Sequence, residues 1–124
     1  MSELVEQPVA DVAALEELIE EVVRHHPDAD TAAIRQAYAF ADECHRGQLR
    51  RSGEPFITHP VGCASICAQL GMDGLAIQAA LLHDTVEDTD ASLETVEETF
   101  GAEVAALVDG VTKLSKIHFA SQAE

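Results

Sequence analysis

Residues Leu81 to Thr89 read Leu-Leu-His-Asp-Thr-Val-Glu-Asp-Thr, so an apolar run beginning near Leu75 ends in one histidine and three carboxylates. Charge at the end of a core helix is costly to bury unless a partner or a metal compensates it. Positions three and four apart share a helix face, which sets His83 over Glu87, and Asp84 over Glu87 and Asp88. A neutral imidazole beside carboxylates suits a divalent cation. The remaining carboxylates can then orient or deprotonate the water that such a cation activates. The plainer alternative is a charged helix end facing solvent. The spacing, and the apolar helix leading into it, favour the metal.

Helices must position these groups. The chain has 124 residues, which predicts one domain. Hydrophobic residues make up 47% and aromatics only 4%, with no Trp, so the core must come from Ala, Leu, Val and Ile. Ala, Leu and Glu recur at helical spacing and no segment alternates as a strand should, which predicts an all-α fold. The net charge of −16 argues against nucleic acid or an anionic membrane as the main partner. Yet Arg46, Arg50 and Arg51 gather three of the seven cations in six residues, a local spot for a small anionic ligand or else a solvated basic loop. Cys44, Cys63 and Cys67 form no framework of pairs and suggest reduced thiols in the cytosol, serving as core packing. Residues 1–9 read as an acidic leader without the apolar centre of a secretion signal, and no run approaches the roughly 18 apolar residues of a membrane span.

Asp11 can cap a first helix through about Arg24, with Leu15, Leu18, Ile19 and Val22 on one stripe. His25 and His26 follow as surface residues complementing the helix dipole. Asp30 or Thr31 opens a second helix to about His45. A polar loop, Gly47 to Thr58, offers Gln48, Arg50, Arg51, Ser52 and Glu54 for binding. His59-Pro60 opens a third helix, roughly Val61 to Leu70, and holds His59 rigidly at its entrance. Asp73 caps the helix that carries Ile77 and Leu81 into His83-Asp84. Ser92 caps Leu93 to Phe100, and a helix from Glu103 is expected to break at Gly110 and resume over Val111 to Ile117.

Taken together, these segments are similar to one family. They are His45-Arg46-Gly47-Gln48, Arg50-Arg51-Ser52-Gly53-Glu54-Pro55-Phe56-Ile57-Thr58-His59-Pro60, Leu70-Gly71-Met72-Asp73, Ala79 through Thr89, Phe100-Gly101 and Val108 through Leu114. The series, covering about residues 30–124, resembles the N-terminal hydrolase domain of the RelA/SpoT (Rel) proteins of the bacterial stringent response, within the HD-type metal-dependent phosphohydrolases. The resemblance implies an HD-domain helical bundle over residues 10–124. It also implies cytoplasmic, manganese-dependent hydrolysis of ppGpp and pppGpp that removes pyrophosphate from the 3′ position to leave GDP or GTP. The family's metal ligands match His59, His83 and Asp84, with a further aspartate far downstream. The positions matching Glu87 and Asp88 act on the attacking water. The position matching Arg50 packs on the guanine base, and Arg51 and Ser52 contact the nucleotide.

The sequence departs from the family pattern at its end. The later Asp-Arg-Leu-His-Asn-type helix has no counterpart before Glu124, and Asp109 matches a different part of the family. The expectation is a bundle incomplete at its C-terminal end, with weakened metal binding and hydrolysis. Two alternatives follow. One is a non-catalytic fragment that binds guanosine nucleotides, self-associates or joins a longer Rel protein. The other is an HD phosphohydrolase acting on a different nucleotide.

Overall fold

The computed structural model describes the backbone of residues 12–123 and the side chains of residues 13–113. The expected acidic leader and the Asp11 cap lie outside the described residues. Six helices follow in order: α1 Val12–His25, α2 Thr31–Cys44, α3 Thr58–Gln69, α4 Gly74–Asp88, α5 Leu93–Phe100 and α6 Ala102–Ala123. Among the described residues there is no strand, only an isolated antiparallel bridge between Leu49 and Pro55.

The helix starts follow local chemistry. Asp30, Asp73 and Ser92 each accept a hydrogen bond from the backbone N–H three residues on, satisfying a donor that the helix itself leaves open. The α3 start differs, because Ile57 has no capping side chain. Thr58 Oγ donates instead to the Pro55 carbonyl, and the helix begins three residues earlier than the sequence suggests. His59 therefore sits inside the first turn, with Pro60 one residue on, where a missing N–H costs nothing.

Helix α4 is the centre of the bundle and packs against α2, α3 and α6. Its buried residues Ile77, Gln78, Ala79, Leu81, Leu82 and Thr85 are not confined to one stripe, as a helix enclosed by neighbours requires. Burying each of Ile77, Leu81 and Leu82 contributes about 1.5–3 kcal/mol. Ile34, Ala37 and Ala41 of α2, Ala64 and Ala68 of α3, Val96 of α5, and Val104 and Val108 of α6 close the core around it. Small alanines at these contacts let the helices approach closely. On α1, Leu15, Leu18, Ile19 and Val22 are buried, the stripe expected from sequence.

Of two further boundaries, the first agrees with the shared helix face read for His83 to Asp88, and the second overturns the break expected at Gly110. Helix α4 runs unbroken through Glu87 and Asp88 and ends at Thr89, whose Oγ donates to the Thr85 carbonyl. Helix α6 runs straight through Gly110. Packing of Val104, Ala105 and Val108 outweighs the roughly 1 kcal/mol that a helical glycine costs. His26 is not merely a surface residue either: its Nε2 lies 2.8 Å from the Gly71 carbonyl and ties the end of α1 to the α3–α4 turn.

Candidate metal centre

The first turn of α3 and the last two turns of α4 meet so that His59, His83 and Asp84 converge. One ligand atom from each lies within 4.8 Å of the other two. Asp84 stands between the imidazoles: His59 Nε2 is 3.3 Å from Oδ2, and His83 Nε2 is 3.3 Å from Oδ1. The His83 ring is oriented from behind, because Nδ1–H donates to the Ala80 carbonyl at 2.7 Å. A carbonyl only accepts, so Nδ1 carries a proton, and in the neutral ring that ligates a metal the Nε2 lone pair is the one turned toward Asp84.

These residues fit a divalent cation. Asp84 Oδ2 is buried and accepts no hydrogen bond among the described residues, although His59 Nε2 is near. A buried, unsatisfied carboxylate oxygen beside two imidazole nitrogens is a donor set short of an electrophile. Cys63 Sγ, one turn along α3, lies 3.9 Å from His59 Nε2. Burial, then the nearby Asp84 charge, pushes the Cys63 thiol up from its ordinary value and keeps it protonated and unreactive at neutral pH.

Beside the centre lies a cleft of about 560 Å³ lined by Arg50, Arg51, Ser52, Phe56, His59, Asp84 and Asp88. Its basic wall is a tight hairpin. Arg50 N–H donates to the Glu54 carbonyl and Gly53 N–H to the Arg50 carbonyl, both at 2.8 Å, and Phe56 N–H donates to the Gln48 carbonyl at 3.0 Å. Gly53 has a φ of +93°, a conformation that disfavours any side chain and closes the turn. Arg50 Nη1 reaches Thr58 Oγ at 3.4 Å and Glu54 Oε1 at 3.5 Å, so the guanidinium is held over the entrance of α3. Arg51 and Ser52 are exposed at the tip.

The fold thus brings Arg50, Arg51, Ser52, His59, Asp84 and Asp88 to one cleft, with His83 behind Asp84. Glu87 occupies the same last turn of α4 as Asp88; both are exposed, and of the two only Asp88 lines the cleft. Phe56 was given no role from sequence. It lies under the hairpin, stacked on His45 with centroids 4.5 Å apart and edge-on to His59 at 5.8 Å. An aromatic three residues before a candidate ligand, at a helix entrance, was the available signal.

Comparison with known proteins gives the chain a family. The HD domain family matches residues 37–124, and the chain belongs to that family. Its relatives are Rel/SpoT proteins. It is 51% identical over 110 residues to a probable GTP pyrophosphokinase of Mycobacterium leprae, covering 89% of this chain and 14% of the relative. It is 50% identical over 109 residues to a guanosine-3′,5′-bis(diphosphate) 3′-pyrophosphohydrolase of Aquifex aeolicus, covering 88% and 16%. It is 48% identical over 98 residues to the bifunctional (p)ppGpp synthase/hydrolase SpoT of Escherichia coli, covering 79% and 14%. The chain therefore spans only about a seventh of these curated relatives. A solved structure of a metazoan ortholog of SpoT that hydrolyzes ppGpp superposes with a TM-score of 0.60 at 38% identity, covering 63% of this chain and 46% of that one. Among the described residues no helix is long and apolar enough to cross a membrane.

Proposed function

We propose that this chain carries the manganese centre and nucleotide cleft of a (p)ppGpp 3′-pyrophosphohydrolase, removing pyrophosphate from the 3′ position to leave GDP or GTP. The observation that carries the proposal is the orphaned, buried Asp84 Oδ2 between His59 and His83, at the floor of a cleft walled by Arg50 to Ser52. His59, His83 and Asp84 hold the cation, and a nitrogen-and-carboxylate set without thiolate suits manganese. When bound, that cation supplies positive charge for the pyrophosphate and makes water a better nucleophile.

The chain's own residues do the rest. Hydrolysis adds water across the bond between the ribose 3′ oxygen and phosphorus, so one group must take a proton from water. Asp88 lines the cleft, takes it and returns it to the departing ribose 3′ oxygen; Glu87, beside the cleft on the same turn, swings in to orient the water once substrate is bound. The planar Arg50 guanidinium packs on the guanine base. Arg51 and Ser52 hydrogen-bond the nucleotide phosphates from the hairpin tip. Two cations and the centre then face a multiply charged substrate in an otherwise acidic protein.

Calorimetric titration with manganese, with a His83→Ala control, tests the centre. Release of pyrophosphate from ppGpp, pppGpp and a panel of other nucleotide phosphates tests the substrate. The expected result is saturable binding lost in the variant, with ppGpp and pppGpp preferred. Faster hydrolysis of another nucleotide would reassign the substrate within the HD family. Saturable ppGpp binding without turnover would make the chain a nucleotide-binding module. Sedimentation with and without a full-length Rel protein checks the association expected of such a module.

A further inference from the structure

His45 is polar yet only 2% exposed, and the chemistry above does not use it. Its Nδ1 lies 3.1 Å from Gln48 Oε1, and Gln48 Nε2 reaches the Asp88 main-chain carbonyl at 3.5 Å. That carbonyl can only accept, so the Gln48 amide turns its NH2 toward Asp88 and its oxygen toward His45. The His45 proton is thereby held on Nδ1. Nε2 is left buried without a hydrogen-bond partner among the described residues. An apolar ring or branched chain would fill this space without that cost, so packing alone does not account for a histidine.

The same ring reaches the other wall of the site. It stacks on Phe56 at an interplanar angle of 30°, and Phe56 meets the His59 ring edge-on. Gln48 also closes the base of the arginine hairpin. Its carbonyl accepts from Phe56 N–H at 3.0 Å and its N–H donates to the His45 carbonyl at 2.9 Å. One buried side chain is therefore one intermediary away from the Asp88 turn of α4, from His59 of α3 and from the Arg50–Ser52 hairpin.

We propose that His45 and Gln48 are positioning residues whose side chains set the placement of the Asp88 turn relative to the His59–His83–Asp84 centre. The proposal rests on the hydrolase function given above. Gln48→Ala cuts the link to Asp88 and leaves the His45–Phe56 stack. His45→Phe keeps a ring on Phe56 and removes the donor to Gln48. Three readouts are needed: manganese affinity, kcat and KM for ppGpp, and amide hydrogen exchange along residues 85–89. In both variants kcat is expected to fall about tenfold, with KM and the manganese Kd within about twofold, as the Asp88 turn loses its tie to Gln48. Amides of residues 85–89 exchange faster, while α1 and α2 keep their protection. An unchanged kcat overturns the proposal, and so does a loss of protection spread over the whole bundle. Should His45→Phe fail to fold, Gln48→Ala at the half-buried end carries the test. If the unaltered chain hydrolyses no ppGpp, the hydrolase function fails and hydrogen exchange decides the positioning role alone: faster exchange confined to residues 85–89 upholds it, and no local change overturns it.

Discussion

Replacing Asp84 with asparagine should stabilise the metal-free protein and abolish its response to metal. The Asp84 side chain is only 14% exposed, with Oδ2 unsatisfied. Leaving such an acceptor unmade costs about 1–3 kcal/mol. The substituted amide keeps the shape, leaves a neutral rather than a charged oxygen at the unsatisfied position, and gains an NH2 that can donate to Nε2 of a neutral His83, 3.3 Å away, whose Nδ1–H donates to Ala80. Removing a negative charge near the C-terminal end of α4, in a protein of net charge −16, acts in the same direction. A gain of about 1–2 kcal/mol in chelator is expected, which for a chain of this size raises Tm by roughly 3–12 °C. Manganese at a hundred times its Kd should stabilise the unaltered protein by about 2.7 kcal/mol. The variant should show none of that gain. Differential scanning calorimetry of both proteins, in chelator and in manganese, measures all four values. A variant less stable than the parent in chelator, or an equal manganese shift in the two, would refute the assignment of Asp84 as an under-coordinated ligand.

Arg50→Ala should raise KM for ppGpp about tenfold and leave the manganese Kd unchanged, because Arg50 faces the cleft through Thr58 and Glu54 and touches none of the three ligands; steady-state kinetics and calorimetry separate the two. Gly110→Ala should stabilise the protein by about 0.5–1 kcal/mol in urea unfolding, since α6 is continuous there and an added Cβ meets nothing within 4 Å. Destabilisation would mean that the helix breaks at Gly110 after all. The Arg35 guanidinium, paired through both nitrogens with Glu16, holds the Glu16 carboxyl below its ordinary value. Its contribution to stability is therefore present above the ordinary carboxylate range and lost as pH falls through the lowered value. Glu16→Gln should cost a little stability at pH 7, nothing once the carboxyl is protonated, and less in high salt, because both side chains are exposed.

The helical class and most helix ends were legible from local chemistry. Asp30, Asp73 and Ser92 cap because a short acceptor side chain before an apolar-periodic run has one low-energy use, and the Leu15–Val22 stripe follows from the helical period. The boundaries that resisted were those where packing overrules propensity. Gly110 reads as a break, yet Val104, Ala105 and Val108 bury the α6 segment beside it, and buried area outweighs one glycine.

The candidate site divides in the same way. His83, Asp84, Glu87 and Asp88 are placed by one helix, so their order along the chain already states which can share a face. His59 and the Arg50–Ser52 hairpin reach them only because α3 packs on α4, a contact with no local signature. The contacts of His45 with Gln48 and Phe56, and of Gln48 with Asp88, could not be read from the chain for that reason, each depending on a neighbour brought close by folding. The chain by itself determined its helices, its core and the identity of the chemistry-bearing side chains, since period, caps and residue type act within a few residues. Only the tertiary structure decided which side chains face one another, that Asp84 Oδ2 stays unsatisfied and that Asp88 rather than Glu87 lines the cleft, because those distances depend on how separate helices pack.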